Sequence, residues 1–169
     1  MVKKGRAPRG LLAALAAWAV GVPAVLHAFG GREVIIASWV HFALVAAGAL
    51  VAAFASIWLT ILGARANDGR TVLIGAAFST MTALLAIHGL ATPGIIVGPN
   101  GVIALAGAAS LPAGGAVLAL TAVPAMRRPL RMRPVLIIQA ALAVAILLLG
   151  GIGLADPAAV PSVPAASSE

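Results

Sequence analysis

Three histidines, His27, His41 and His88, are the side chains of this chain best suited to chemistry. Imidazole ligates zinc, copper or haem iron, and its ordinary titration falls near neutral pH. Each histidine lies three residues inside one end of a long apolar run. At 1.5 Å of helical rise per residue, that places each about 5 Å within the run. If the three ends lie on one side of a membrane, the imidazoles share a level. Three at one level could hold a metal ion or a haem, respond to pH, or simply pack where a polar ring can reach water. Shared depth does not fix shared direction, so all three readings stand.

Other chemistry is sparse. Cysteine is absent, which removes thiolate ligands, thiol nucleophiles and disulfides. No P-loop, HExxH, paired catalytic carboxylates or Ser/His/Asp set occurs. The chain is therefore not expected to be an enzyme, and any catalytic domain would lie outside it. No apolar run carries Asp, Glu, Lys or Arg near its middle. Such groups mark proton relays and ion paths, so coupled transport is not expected.

The elements that must position the histidines follow from composition. The 169 residues are 62% hydrophobic and 9% charged, more apolar surface than a soluble domain of this size could bury. Five runs, at 10–30, 38–63, 71–91, 101–126 and 135–154, each come near the ~20 residues that cross a bilayer core of about 30 Å. The expected fold class is all-α, a polytopic transmembrane helix bundle of five spans over residues 10–154. It is preceded by a basic cytoplasmic segment, 1–9, and followed by a disordered extracytoplasmic tail, 155–169, rich in Pro, Ala and Ser. The first run is longer than a usual signal-peptide core and closes without a small-residue cleavage site, so it reads as an uncleaved span.

Ten of the eleven Lys and Arg residues precede the first run or occupy the joints after the second and fourth; only Arg32 lies on the other side. The positive-inside rule then places the N-terminus in the cytoplasm and the C-terminus outside a bacterial plasma (inner) membrane. This accounts for the net charge of +7 with the lipid bilayer as partner and no nucleic acid.

Without a hydrophobic drive in lipid, helices associate through small residues and shared hydrogen bonds. Gly48, Ala52, Ser56 and Thr60 recur every four residues in the second run, as do Gly75 and Ser79 in the third. Gly107, Ser110, Pro112, Gly114 and Gly115 could bend the fourth, giving either a broken-helix substrate path or ordinary close packing. Gln139 is a lone amide suited to an interhelical hydrogen bond. Between the third and fourth runs, Pro93 and Gly94 stop one helix and Pro99-Asn100-Gly101 makes a second turn. His88 would lie one turn below this loop, within reach of Thr92 or a loop carbonyl.

The stretch "HGLATPG" followed by "GPN", residues 88–100, resembles the N-terminal membrane regions of bacterial signalling proteins, in which several helices precede a nucleotide cyclase, diguanylate cyclase or histidine kinase domain. The rest of the chain matches only as alternating helices with short basic loops. The resemblance implies sensing or ligand-binding roles for His88, Thr92, Pro93 and Gly94, with Asn100 closing the loop. The chain departs from the pattern by ending after five runs without an output domain. The leading expectation is an integral membrane sensor or interaction module, working at its outer face through a fused or partner signalling domain, as a monomer or homo-oligomer. The alternative is a small membrane carrier, or a metal- or haem-binding protein using His27, His41 and His88.

Overall fold

The computed structural model describes residues 37–123, 132–157 and 160, together with the isolated helical positions 17, 20, 21, 24 and 28. The chain divides into two units, Met1–Ile36 and Ala37–Glu169. Four long helices make up the second: α1 Ser38–Ala66, α2 Gly69–Leu90, α3 Val102–Ala119 and α4 Met132–Ala155. A 3-10 turn, Leu120–Ala122, extends α3. All four are long and apolar enough to cross a membrane, and no strand occurs among the described residues. Four candidate spans are thus present where five were expected; the remaining run, 10–30, lies outside the described residues apart from those isolated positions.

The α1–α2 joint is two residues long because each residue ends or begins a helix. Asn67 takes the left-handed conformation, φ 53°, that short polar side chains tolerate. Its N–H donates to the Ala64 carbonyl at 3.3 Å and that of Asp68 to the Gly63 carbonyl at 2.8 Å, the paired closure that terminates many helices. Asp68 then caps α2, accepting from the Arg70 amide at 3.0 Å and the Thr71 hydroxyl at 2.6 Å.

Close approaches establish how the helices run. Gly63 backs onto Val72, Gly75 onto Ser56 and Thr60, and Gly89 faces Phe42 and Val45, so α1 and α2 are antiparallel. Gly107 meets His88 and Gly114 meets Met81, which makes α2 and α3 antiparallel. Gly150 on Ile87 and Gly153 on Val102 bring the end of α4 to the α2–α3 loop. At one end of the bundle, therefore, stand Arg65, Asp68, Arg70 and Arg133. The other holds the loop 91–101, both described histidines and Asp156.

Helix α2 is the hub, packed by each of the other three. Most of what it buries is small or hydroxylic, Gly69, Gly75, Ala76, Ala77, Thr80, Ala83 and Gly89, with Val72, Leu73 and Ile87 the larger exceptions. Large apolar side chains point outward instead, with Val51, Phe54, Leu111 and Leu149 each about 70% exposed. A protein in water would invert this arrangement; in lipid it is expected, because close packing rather than hydrophobic burial holds the helices. Ser56 and Thr60 of the small-residue stripe face α2, and Ala52 is buried. Gly48, the fourth member, has nothing near it. The proline in α3 does not break it: the helix is continuous from Val102 to Ala119 through Pro112. It stops short of the expected residue 126 because Val123, which precedes a proline, is extended at φ −67°, ψ 123°.

Candidate functional site

His41 lies on the first turn of α1 and His88 on the last turn of α2. Their Nε2 atoms are 3.1 Å apart. The ring centres are 5.2 Å apart with planes at 69°, and the amount by which this exceeds the 3.1 Å between the nitrogens is close to the sum of the two ring radii, so the nitrogens point toward one another. The other nitrogen of His88, Nδ1, lies 2.7 Å from the carbonyl oxygen of Ile103 on the first turn of α3. A carbonyl only accepts, so His88 Nδ1 carries a proton and donates it. In the neutral ring His88 Nε2 is then an acceptor, and His41 Nε2 donates to it. The chain His41 → His88 → Ile103 thus runs one way and ties α1, α2 and α3 together.

Gly107 makes the contact feasible. A Cβ there would lie 2.8 Å from His88 Nδ1 and 2.9 Å from Cε1, closer than real Cβ contacts allow, so the missing side chain is the slot that admits the imidazole. Both rings are half-buried. Among the described residues the remaining ionisable side chains, Arg65, Asp68, Arg70, Arg133 and Asp156, lie at the helix ends and joints, so no charge from a span middle reaches the pair.

Above the pair, the loop is a clasp held by Asn100, which is 5% exposed. Its Nδ2 donates to the carbonyls of Ala91 at 2.9 Å and Gly98 at 2.8 Å, and its Oδ1 accepts from the Ile103 amide at 3.2 Å. The same side chain therefore closes the loop and caps α3. Gly94, at φ 84°, takes the conformation that favours glycine, and its N–H donates to Val97 at 3.0 Å beside the single Pro93–Val97 bridge. Thr92 is 2% exposed and its hydroxyl points at the backbone carbonyl of His88, 3.5 Å away. Ile96 projects outward, 67% exposed.

The structure therefore brings together His41, His88, Thr92, Pro93, Gly94 and Asn100. His27 lies outside the described residues, and among those described no three metal-ligating side chains converge. The expected partner of the His88 side chain, Thr92 or a loop carbonyl, is replaced by His41 and Ile103, because the ring points across to α1 and α3 rather than up into the loop. Ile103 and Gly107 were not singled out for this role by sequence; a glycine in a run full of small residues gives no sign of which ring it faces. At the basic end, Gln139 Nε2 donates to the Thr60 hydroxyl at 3.1 Å, the interhelical bond its composition suggested, and the Ser56 hydroxyl donates to the Gly75 carbonyl at 2.9 Å.

Compared with known proteins, the chain matches no protein-family model, no curated protein and no solved structure.

Proposed function

We propose that this chain is an integral-membrane sensing module whose responsive element is the His41–His88–Ile103 relay beneath the Asn100 clasp. It acts through a fused or partner output domain on the cytoplasmic side of the plasma membrane. The observation that carries this reading is the one-way hydrogen-bond chain joining three helices at a single point. Any ligand or charge that displaces one imidazole alters how α1, α2 and α3 meet. The likeness of residues 88–100 to membrane sensor regions supports the same assignment. The grouping of Arg65, Arg70 and Arg133 at the opposite end supports an orientation with the loop outside. The carrier alternative draws less support, since α3 is continuous through Pro112.

The absence of cysteine makes the test direct. Spin labels on cysteines introduced at Ala66 and Arg133, both exposed at the basic end, report the packing of α1 against α4. In nanodiscs, where both faces meet the same solution, acidification, Cu(I) or Zn(II) should redistribute the label distances. Distances unchanged by all three would refute the sensing reading. Substrate-driven proton uptake by vesicles containing the protein would replace it with the carrier.

A further inference from the structure

We propose that His41 and His88 form a linear, two-coordinate site for a soft monovalent cation, Cu(I) in the cell, bound through their Nε2 atoms. This deepens the sensing reading by naming the ligand, and rests on that reading for its consequence.

The argument begins with direction. Two imidazoles whose Nε2 atoms point at one another can, once neither carries a proton there, direct their lone pairs toward a single linear ion between them. Zinc, which prefers tetrahedral sites, would need both rings to swing so that their axes cross at an angle. Among ions that imidazole suits, monovalent copper accepts two ligands in line. Charge points the same way. The pair is half-buried near the end of an apolar span, and the cost of desolvating an ion grows with the square of its charge, so a single charge is far less costly there than a double one.

His88 is already held as a metal ligand would be. Its Nδ1–H donates to the Ile103 carbonyl at 2.7 Å, the outer-shell contact that fixes the tautomer and orientation of metal-bound histidines. Its Nε2 lone pair is therefore directed at His41. Binding requires one change of tautomer: His41 gives up its Nε2 proton and takes one at Nδ1. Both rings stay neutral, no net proton is released, and one N–H···N hydrogen bond is exchanged for two metal–nitrogen bonds.

The site is closed at 3.1 Å and must open to about 4 Å, twice a metal–imidazole bond. The fold leaves room on the α1 side. α1 begins at Ala37 without a side-chain cap. Even a Cβ added at Gly89 would make only an ordinary contact, 3.4 Å to Val45, and one at Gly94 would lie 3.9 Å from Ser38. At the other end of α1, Gly63 and Gly75 admit no Cβ at all. Among the described residues, the loop-side end of α1 is packed less tightly than the basic-side end.

Ag(I) and Cu(I) are the probes, added anaerobically to the purified protein. With no cysteine present, no thiolate competes. One equivalent should bind, with a two-nitrogen X-ray absorption signature, and with Ag(I) the Nε2 resonances of two 15N-labelled histidines should split by coupling to silver. His41→Gln and His88→Gln should each reduce binding to background, and His27→Gln should leave it intact. Gly107→Ala, which displaces the His88 ring, should weaken affinity about 10–100-fold, as loss of outer-shell support does. Should His88→Gln not fold, His41→Gln decides, since that ring lies on the loosely held turn. Binding that survives both substitutions at the pair, equal loss in His27→Gln, or a three- or four-coordinate spectrum would overturn the proposal. Stoichiometric binding with unchanged label distances at Ala66 and Arg133 would instead leave the site standing and remove the sensing role.

Discussion

Replacing Asn100 separates the two tasks assigned to it. Asn100→Ala removes three hydrogen bonds at once. Loss of the α3 cap costs about 1 kcal/mol. The Ala91 carbonyl, on a residue that is 0% exposed, is left without its side-chain donor, at about 1–3 kcal/mol. The Gly98 carbonyl lies on an exposed residue and regains water, so it adds little. The expected loss is about 2–4 kcal/mol, several times the ~0.6 kcal/mol that hydrogen bonds between membrane helices average. Asn100→Asp is the discriminating variant. Asp caps a helix as well as Asn does, but it loses both donors and turns an acceptor toward the Ala91 and Gly98 carbonyls. If capping alone mattered, Asp would equal the wild type; if the clasp matters, Asp falls with Ala or below it. Titration with SDS in mixed micelles, followed by helical circular dichroism and by the fluorescence of the three tryptophans, measures both. An Ala variant within about 0.5 kcal/mol of wild type, below the usual size of a single hydrogen bond, would refute the reasoning, as would an Asp variant indistinguishable from wild type.

Gly75→Ala places a Cβ 2.9 Å from the Thr60 amide and 3.0 Å from the Ser56 carbonyl, and should cost about 1–3 kcal/mol by overpacking. Gly115→Ala, with nothing within 4 Å, should be neutral or gain slightly from helix propensity in the same titration. The Thr71 hydroxyl, aided by the backbone amides of Arg70 and Thr71 and by the Arg70 guanidinium, holds the Asp68 carboxyl below its ordinary pKa against the opposing cost of desolvation. A depressed folded pKa stabilises above the unfolded value, so this contribution is complete at neutral pH and vanishes as pH falls through the folded value. Asp68→Asn should flatten stability across that acidic window when the two proteins are unfolded side by side. Single cysteines at Ala64 and Gly98 should react with impermeant label from opposite sides of the membrane, and one at Ser167 from the same side as Gly98. Labelling of Ala64 and Gly98 from one side would undo the placement of α2.

What sequence revealed was whatever depends on one dimension. A helix end was legible where a local signal was read: Pro93-Gly94 holds α2 to an end at Leu90, whereas the helices meeting at Asn67 and Asp68 run three and two residues past the expected ends at 63 and 71. The end of α3 was misjudged because the extended residue before Pro124 acts within a run that is apolar throughout. The depth of His41 and His88 was legible, because rise per residue is constant. Their convergence was not, because rotation about a helix axis is decided by which small residue faces which neighbour. Gly48 and Gly75 look alike in the chain, yet one faces open space and the other touches Thr60. The Ile103 carbonyl could not be singled out at all, since every helical residue offers one.

The contacts along α1 also constrain how a signal could travel. α1 has 29 residues, about 43 Å at helical rise. Its tight contacts lie at Ser56, Thr60 and Gly63, and Thr60 is also bound by Gln139 of α4. Opening His41 from His88 by about 1 Å would pivot a rigid α1 about Thr60, some 28 Å away along the axis. Arg65 lies only five residues beyond that pivot, so it would move by roughly a quarter of an ångström. That is too small to switch an output domain. Transmission from this site therefore demands a discrete change in packing rather than an elastic tilt, in keeping with the bistable way close-packed interfaces respond to small shifts. The seam of Ser56 and Thr60 against Gly75 is where such a step would occur, because it is the tight contact that α1 would have to break to move as a unit. The spin-label distances between Ala66 and Arg133 should accordingly fall into two populations that exchange weight on Cu(I) addition. A single population that drifts smoothly with occupancy would exclude a packing switch, and the histidine pair would then be a binding site without a mechanical consequence.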